Sequence, residues 1–329
     1  MKKRTLGKTG FEISEISLGT WQVGGKWGDN FSHSNADKIL NLAVENGVNF
    51  IDTADVYGDG ESEKAVGRLI KSRKERIFVA SKCGRRLNPH NNETYTTEAL
   101  RKFVEDSLKN TGLETLDLIQ LHCPPPEVYK RPEIFGLFNI LKKEGKIMHM
   151  GVSVETVEEA LKAIENENVT TIQIIFNMFR MRPAEKFFAE AIKRNVGIIV
   201  RVPLASGLLS GKYTASTTFG KNDHRTFNRN GEAFDKGETF SGVDYVKGLA
   251  AVEEIKKLLP ENSDMAALAL KWVLMFREVS CVIPGASRPD QVLPNILSTE
   301  LPDLTKEQMA GIEAVYKKMI WPDLVKEKW

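Results

Sequence analysis

Short apolar runs rich in β-branched residues alternate along the whole chain with longer segments of helical period. The runs are Ile16–Leu18, Phe50–Ile51, Ile77–Ala80, Leu116–Leu121, Met148–Val152, Ile172–Ile174, Gly197–Val202 and Cys281–Ile283. They are continuously apolar, as strands of a parallel sheet read when both faces are covered. Between them the spacing predicts helices over Ala36–Asn46, Thr97–Asn110, Glu133–Lys143, Val157–Glu165, Ala184–Asn195 and Val246–Leu259. In the second of these, Ala99, Leu100, Phe103, Val104 and Leu108 share one face. Gly47, Gly112, Gly145 and Gly197 stand just past helix ends, where a left-handed cap residue is expected. Eight runs are the number a (β/α)8 TIM barrel needs, and that α/β fold is the expectation. A doubly wound sheet is the competing architecture.

A barrel with its helices takes about 250 residues, and the chain has 329. The excess has visible homes. Residues 3–13 read as an N-terminal β-hairpin across the barrel floor, with Lys8-Thr9-Gly10 in its turn. Residues 203–243, after the seventh strand, form a long loop rich in Gly, Thr, Asn and Asp, and 305–329 add a C-terminal helix and tail. So long a loop is either a lid or binding loop, or an unstructured surface excursion. No repeat beyond the β/α rhythm and no low-complexity linker interrupts the chain, so residues 1–329 read as a single domain.

Charge and composition narrow the function classes. Lys plus Arg is 46 and Asp plus Glu is 44, without the cation excess that a nucleic-acid binder needs. The most apolar stretch, Met265–Phe276, carries Lys271 and is too short to span a bilayer, so it reads as a buried helix. The start, MKKRTLGKTG, lacks the apolar segment of a signal peptide. Cys83, Cys123 and Cys281 are far apart with no CxxC pair, which suggests neither a disulfide framework nor a thiolate zinc site. A cytoplasmic protein with no metal, no membrane and no nucleic-acid partner is expected, its oligomeric state left open.

Barrel active sites lie at the C-terminal ends of the strands. Asp52 follows the second run, Lys82 the third, His122 the fourth and Ser153 the fifth; Gln173 lies in the sixth and Arg201 in the seventh. Singly, each has an ordinary reading: a turn aspartate, a solvated lysine, a structural histidine. Jointly, a carboxylate, a lysine, a histidine and Tyr57 at one mouth make an acid–base set. Lys82 would lower the phenol pKa by its charge, Asp52 would keep that lysine ionised, and His122 would donate to a substrate oxygen.

These residues resemble a known family. Asp52-Thr53-Ala54-Asp55-Val56-Tyr57-Gly58, followed by Gly60, Ser62, Glu63 and Gly67, is similar to the signature of the aldo-keto reductases. Ala80-Ser81-Lys82, Leu121-His122, Gly151-Val152-Ser153, the segment 203–212 and Ile283-Pro284-Gly285 follow in that family's order, so the resemblance covers residues 3–320. It lies nearer the bacterial reductases and the potassium-channel β-subunit branch than aldose reductase. It implies reduction of a small aldehyde or ketone by NADPH, with Asp52, Tyr57, Lys82 and His122 as catalytic tetrad and Tyr57 as general acid. The implied cofactor set is Gly19, Thr20, Trp21 and Asp52; Ser153 and Gln173 on the carboxamide; Arg201; Pro203, Leu204, Ser206, Gly207, Leu209 and Lys212 on the pyrophosphate; Arg225; and Gly285, Ser287, Gln291 and Asn295 toward the adenosine. Lys212, Arg225, Ser287 and Arg288 are candidate partners of a 2′-phosphate. Trp21, Tyr57 and His122 would face the substrate, with Trp27 extending the aromatic wall and Trp321 and Trp329 near the mouth or the barrel side.

Two departures and two decoys complete the reading. Arg201 stands where the family usually places an aromatic ring against the nicotinamide. A planar guanidinium stacks similarly, and its charge would disfavour the oxidised ring; an ion pair with a carboxylate is the alternative. Val154 replaces a common asparagine. Gly58-Asp59-Gly60 has Glu63 where a Rossmann fingerprint needs glycine, and Gly207–Lys212 is one residue short of a P-loop. Two rival functions remain: an NADP(H)-binding regulatory or structural subunit, and a Schiff-base lyase acting through Lys82.

Overall fold

A computed structural model describes residues 1–25, 30–261 and 263–324. The strands are β1 Lys3–Thr5, β2 Glu12–Ser14, β3 Leu18–Gly19, β4 Phe50–Asp52, β5 Phe78–Cys83, β6 Leu116–His122, β7 Ile147–Ser153, β8 Val169–Ile175, β9 Gly197–Arg201 and β10 Val279–Val282. The helices are α1 His33–Glu45, α2 Glu61–Lys71, α3 Thr97–Thr111, α4 Pro132–Lys143, α5 Val157–Ala163, α6 Arg182–Lys186, α7 Phe188–Lys193, α8 His224–Phe227, α9 Tyr245–Lys256, α10 Met265–Leu274, α11 Val292–Leu297, α12 Lys306–Val315 and α13 Trp321–Leu324.

Strands β3 to β10 form one parallel sheet in chain order. Parallel bridges Ile16–Val282 and Gly19–Gly285 bring its two edges together, so the sheet nearly closes into a (β/α)8 barrel. β1 and β2 pair antiparallel as the expected hairpin. It plugs the floor: Leu6, Phe11 and Ile13 pack against Phe50, Ala80, Leu118, Ile199 and Cys281 inside the barrel. Because strand side chains alternate faces, the inward positions two residues further along are Asp52, Lys82 and Gln120. The barrel therefore changes from an apolar floor to a polar layer within one side-chain repeat. A second, larger core lies between the barrel and its helices, with Trp272 of α10 fully buried in it.

Two helices differ from expectation. The segment read as one helix from Ala184 to Asn195 is α6 and α7, broken at Phe187, which is fully buried. α2 is not among the helices expected from the sequence, and it buries Ser62, Glu63, Ala65, Val66 and Leu69. Its Gly67 sits against α3, where a Cβ would lie 2.0 Å from the Thr111 carbonyl oxygen. Gly67→Ala is expected to destabilise the protein by about 1–3 kcal/mol, since helix and neighbour must separate; urea unfolding measures it.

The long loop is folded rather than an unstructured excursion. It carries 3-10 turns at Ala205–Ser210, Lys236–Glu238 and Phe240–Gly242, together with α8. Tyr213, Phe219 and Phe240 stack edge to face or tilted within it, and Phe240 meets Tyr245 at the start of α9. Arg225 lies over Phe219 at 4.5 Å and Arg229 over Phe240 at 5.2 Å. No described helix is long and apolar enough to cross a membrane.

Candidate active site

A cavity of about 630 Å³ opens at the C-terminal ends of the strands. Its floor is the polar layer. Lys82 Nζ lies 2.5 Å from Asp52 Oδ1, and the two side chains are 1% and 2% exposed. The same ammonium donates to the Thr53 carbonyl at 2.9 Å and to the Tyr57 hydroxyl at 3.2 Å. The second Asp52 oxygen accepts from Gln120 at 3.1 Å and Gln173 at 2.7 Å. Both oxygens of this buried carboxylate thus have a donor, as a buried charge requires.

Tyr57 reaches the floor because β4 ends at Asp52 and the chain then turns. Gly58 and Asp59 take left-handed angles (φ 57° and 54°) before α2 begins. The His122 ring stands perpendicular to Tyr57, 6.1 Å between centroids. Trp21 is tilted against Tyr57 at 6.5 Å and against His224 at 4.9 Å, so the aromatic wall includes His224 of the long loop. Trp27 and Trp329 lie outside the described residues. Trp321 packs on Tyr316, away from the cavity lining.

Burial raises the Tyr57 phenol pKa, and the neighbouring Lys82 charge, which lowers it, does not overcome that effect. The expected net depression by Lys82 is therefore corrected: desolvation of the phenolate is the larger effect. Lys82 is raised despite its burial, because Asp52 and then Tyr57 favour the charged form. His122 is held well below its ordinary value by burial and by the charges of Lys82, Arg85 and Arg201. At neutral pH the floor holds a protonated phenol, an ammonium and a neutral imidazole. An amine kept charged this firmly is a poor carbonyl nucleophile, which counts against the Schiff-base reading.

With Tyr57 and His122, the cavity is lined by Gln173, Arg201, Pro203, Leu204, Ser206 and Gly207. Gly285, Ser287, Arg288 and Gln291 also line it, as do Gly19, Thr20 and Arg225. In the 202–207 segment, Val202, Ala205, Ser206 and Gly207 all have positive φ, folding the chain back over the mouth. Ser153 does not line the cavity: it is buried, its hydroxyl 3.7 Å from Cys123 Sγ. Leu209 is fully buried in the core, and Lys212 and Asn295 are also outside the lining. Arg225 donates to Asp223 at 2.8 and 2.6 Å and also to the Tyr213 hydroxyl.

Arg201 takes the ion-pair alternative. It binds Glu155 at 2.8 Å and donates to the Val154 carbonyl at 3.0 Å, while lining the cavity. With its charge matched by Glu155, the expected bias against an oxidised ring loses its basis. Four further residues had not been anticipated: Gln120, Arg85, Glu155 and Glu238. Gln120 had a signal, a polar residue inside the apolar run ending at His122, two positions before that histidine. Cys123, Glu155 and Glu238 present ligand atoms within 4.8 Å of one another. Arg201 and Arg85 already pair with both carboxylates there.

The aldo/keto reductase family model matches residues 15–317. The chain belongs to the aldo/keto reductase family. A curated relative, an uncharacterized oxidoreductase of Bacillus subtilis, is 28% identical over 98% of both chains. Among solved structures, the glycerol dehydrogenase of Gluconobacter oxydans is 29% identical, with a TM-score of 0.78 over 97% of this chain and 96% of that one. An aldo-keto reductase of Bacillus halodurans in its holo form is 26% identical, with a TM-score of 0.77 over 96% of each chain. Membership makes this aldo-keto reductase an oxidoreductase of carbonyl compounds using a nicotinamide cofactor.

The cleft fits that group. Its lining brings together the acid–base residues Tyr57 and His122 with Ser287, Gln291 and the cations Arg225 and Arg288. Among its walls, the Nδ1 atom of buried His122 has no hydrogen-bond partner.

Proposed function

We propose that this chain reduces aldehydes or ketones to alcohols with NADPH, Tyr57 acting as the general acid. The observation that carries the reading is the Tyr57 hydroxyl 3.2 Å from a lysine that is itself paired to a buried aspartate, at the floor of the cleft. When bound, the cofactor supplies a hydride to the carbonyl carbon. The protein handles the proton. Tyr57 gives it to the carbonyl oxygen, and the Lys82 ammonium stabilises the phenolate left behind. Asp52 holds that ammonium, while Gln120 and Gln173 hold Asp52. Neutral His122 orients the carbonyl oxygen. Gln173 and Arg201 flank the nicotinamide end, and residues 203–207 the pyrophosphate. The complete tetrad favours turnover over a purely regulatory subunit.

Consumption of NADPH with a panel of aldehydes and ketones tests the reaction, and the absence of any turnover would overturn it. Cofactor choice is tested separately. Arg225, Arg288 and Ser287 offer charge-assisted hydrogen bonds to a 2′-phosphate. NADPH is expected to bind at least roughly tenfold more tightly than NADH, such bonds contributing about 1.5–3 kcal/mol. Fluorescence titration measures both dissociation constants, and equal values would remove the selectivity.

A further inference from the structure

Arg85 is three residues beyond Lys82 and lines the same cavity as Tyr57, His122 and Trp21. The turn that brings it there depends on Gly84, at φ +101°, where a Cβ would come 2.7 Å from the Tyr95 hydroxyl. Among the described residues its guanidinium has only loose ion pairs, 3.9 Å to Glu155 Oε1 and 3.6 Å to Glu238 Oε1, and no hydrogen bond. Arg201 beside it is held more closely, one of its nitrogens lying 2.8 Å from Glu155 and 3.0 Å from the Val154 carbonyl. Phe234 lies 5.9 Å from Arg85 and is a lining residue too. A five-donor fork with 22% of its side chain exposed therefore faces the reaction cavity with its donors unspent.

The charge balance around it has the same sense. Glu155 faces Glu238, and two carboxylates so close cannot both ionise readily. Burial and then Glu155 push the Glu238 carboxyl upward, while Arg201 holds Glu155 down against its burial. Two guanidinium charges thus face a carboxylate pair that resists full ionisation. Of the other cavity groups, the Tyr57 phenol and His122 are neutral, and the Asp52 carboxylate is already paired with Lys82.

Building on the reductase reading, we propose that Arg85 is a specificity-determining residue that receives the anionic end, a carboxylate or a phosphate, of a short carbonyl substrate. The planar fork accepts either anion in two parallel hydrogen bonds. The substrate anion takes the place that Glu238 loosely fills, and Glu238 belongs to the long loop, so the loop closes over the anionic end.

Matched substrate pairs test this: succinic semialdehyde against butanal for a carboxylate, and glyceraldehyde 3-phosphate against glyceraldehyde for a phosphate. In at least one pair the wild type should favour the anion by about tenfold or more in kcat/KM. Arg85→Gln should lower that anion-to-neutral ratio by about 30-fold or more, and Arg85→Lys by less, since truncating one partner of a buried charge pair costs roughly 2–5 kcal/mol. A ratio near one in both pairs for the wild type would overturn the proposal. So would an unchanged ratio in Arg85→Gln, even with both rates reduced, because a residue that only pins the loop lowers both together. Calorimetric titration of the NADP⁺-loaded protein with succinate and with inorganic phosphate reads the site without turnover. Binding lost in Arg85→Gln supports the anion site even if no carbonyl is reduced, and no binding by the wild type ends it.

Discussion

Tyr57→Phe is expected to lower kcat for carbonyl reduction by roughly 10²–10⁴-fold, the range general acid catalysis supplies. The substitution deletes one oxygen. It removes the atom 3.2 Å from Lys82 Nζ and leaves the ring that faces Trp21 and His122. The Asp52–Lys82 pair does not depend on that oxygen, because Lys82 keeps its bonds to Asp52 and the Thr53 carbonyl. NADPH affinity should therefore stay within about threefold, and thermal stability should change little. Stopped-flow reduction at saturating NADPH, with cofactor titration on the same preparations, separates the two quantities. A variant turning over at the wild-type rate would show that another group donates the proton.

The barrel and its polar floor were legible for the same physical reason. Parallel strands covered on both faces must be apolar to their last turn, so Asp52, Lys82 and His122 stand out as interruptions at strand ends. What escaped was whatever lacked such a background. α2 carries a short apolar stripe, Ala65, Val66 and Leu69, whose buried face runs on through Ser62 and Glu63, with Glu63 bonded to Asn110. Glu155 lies just past β7 and Glu238 inside a polar loop, where a carboxylate is unremarkable until the fold brings the two together between Arg85 and Arg201. Arg201 was read as a cation needing either a ring or a carboxylate; the choice between them depended on Glu155, 46 residues away in sequence. The motif places Leu209 at the cofactor, but with Ala205 and Leu208 of the same turn it packs into the core.

The floor's ion pair should separate stability from catalysis in a double substitution. Lys82→Met leaves Asp52 buried, with only the Gln120 and Gln173 amides as side-chain donors. Removing one partner of a buried pair typically costs about 3–5 kcal/mol, because the remaining charge is uncompensated. For a chain of this length that corresponds to a melting temperature lower by roughly 5 °C. Adding Asp52→Asn removes the stranded charge, and much of the lost stability should return, the two sites being coupled through direct contact. Activity should not return with it. Without the ammonium, the Tyr57 phenolate loses its hydrogen-bonded positive charge, and burial, with Asp52 in the single variant and Glu238 in both, then raises its pKa further. Both the single and the double variant are expected to reduce carbonyls at least roughly 10²-fold more slowly than the wild type. Differential scanning calorimetry and single-turnover kinetics on the three proteins measure the two effects. If the double variant regained activity along with stability, Lys82 would be a partner for Asp52 and nothing more; if neither returned, the defect would lie in packing at the barrel floor, not in charge.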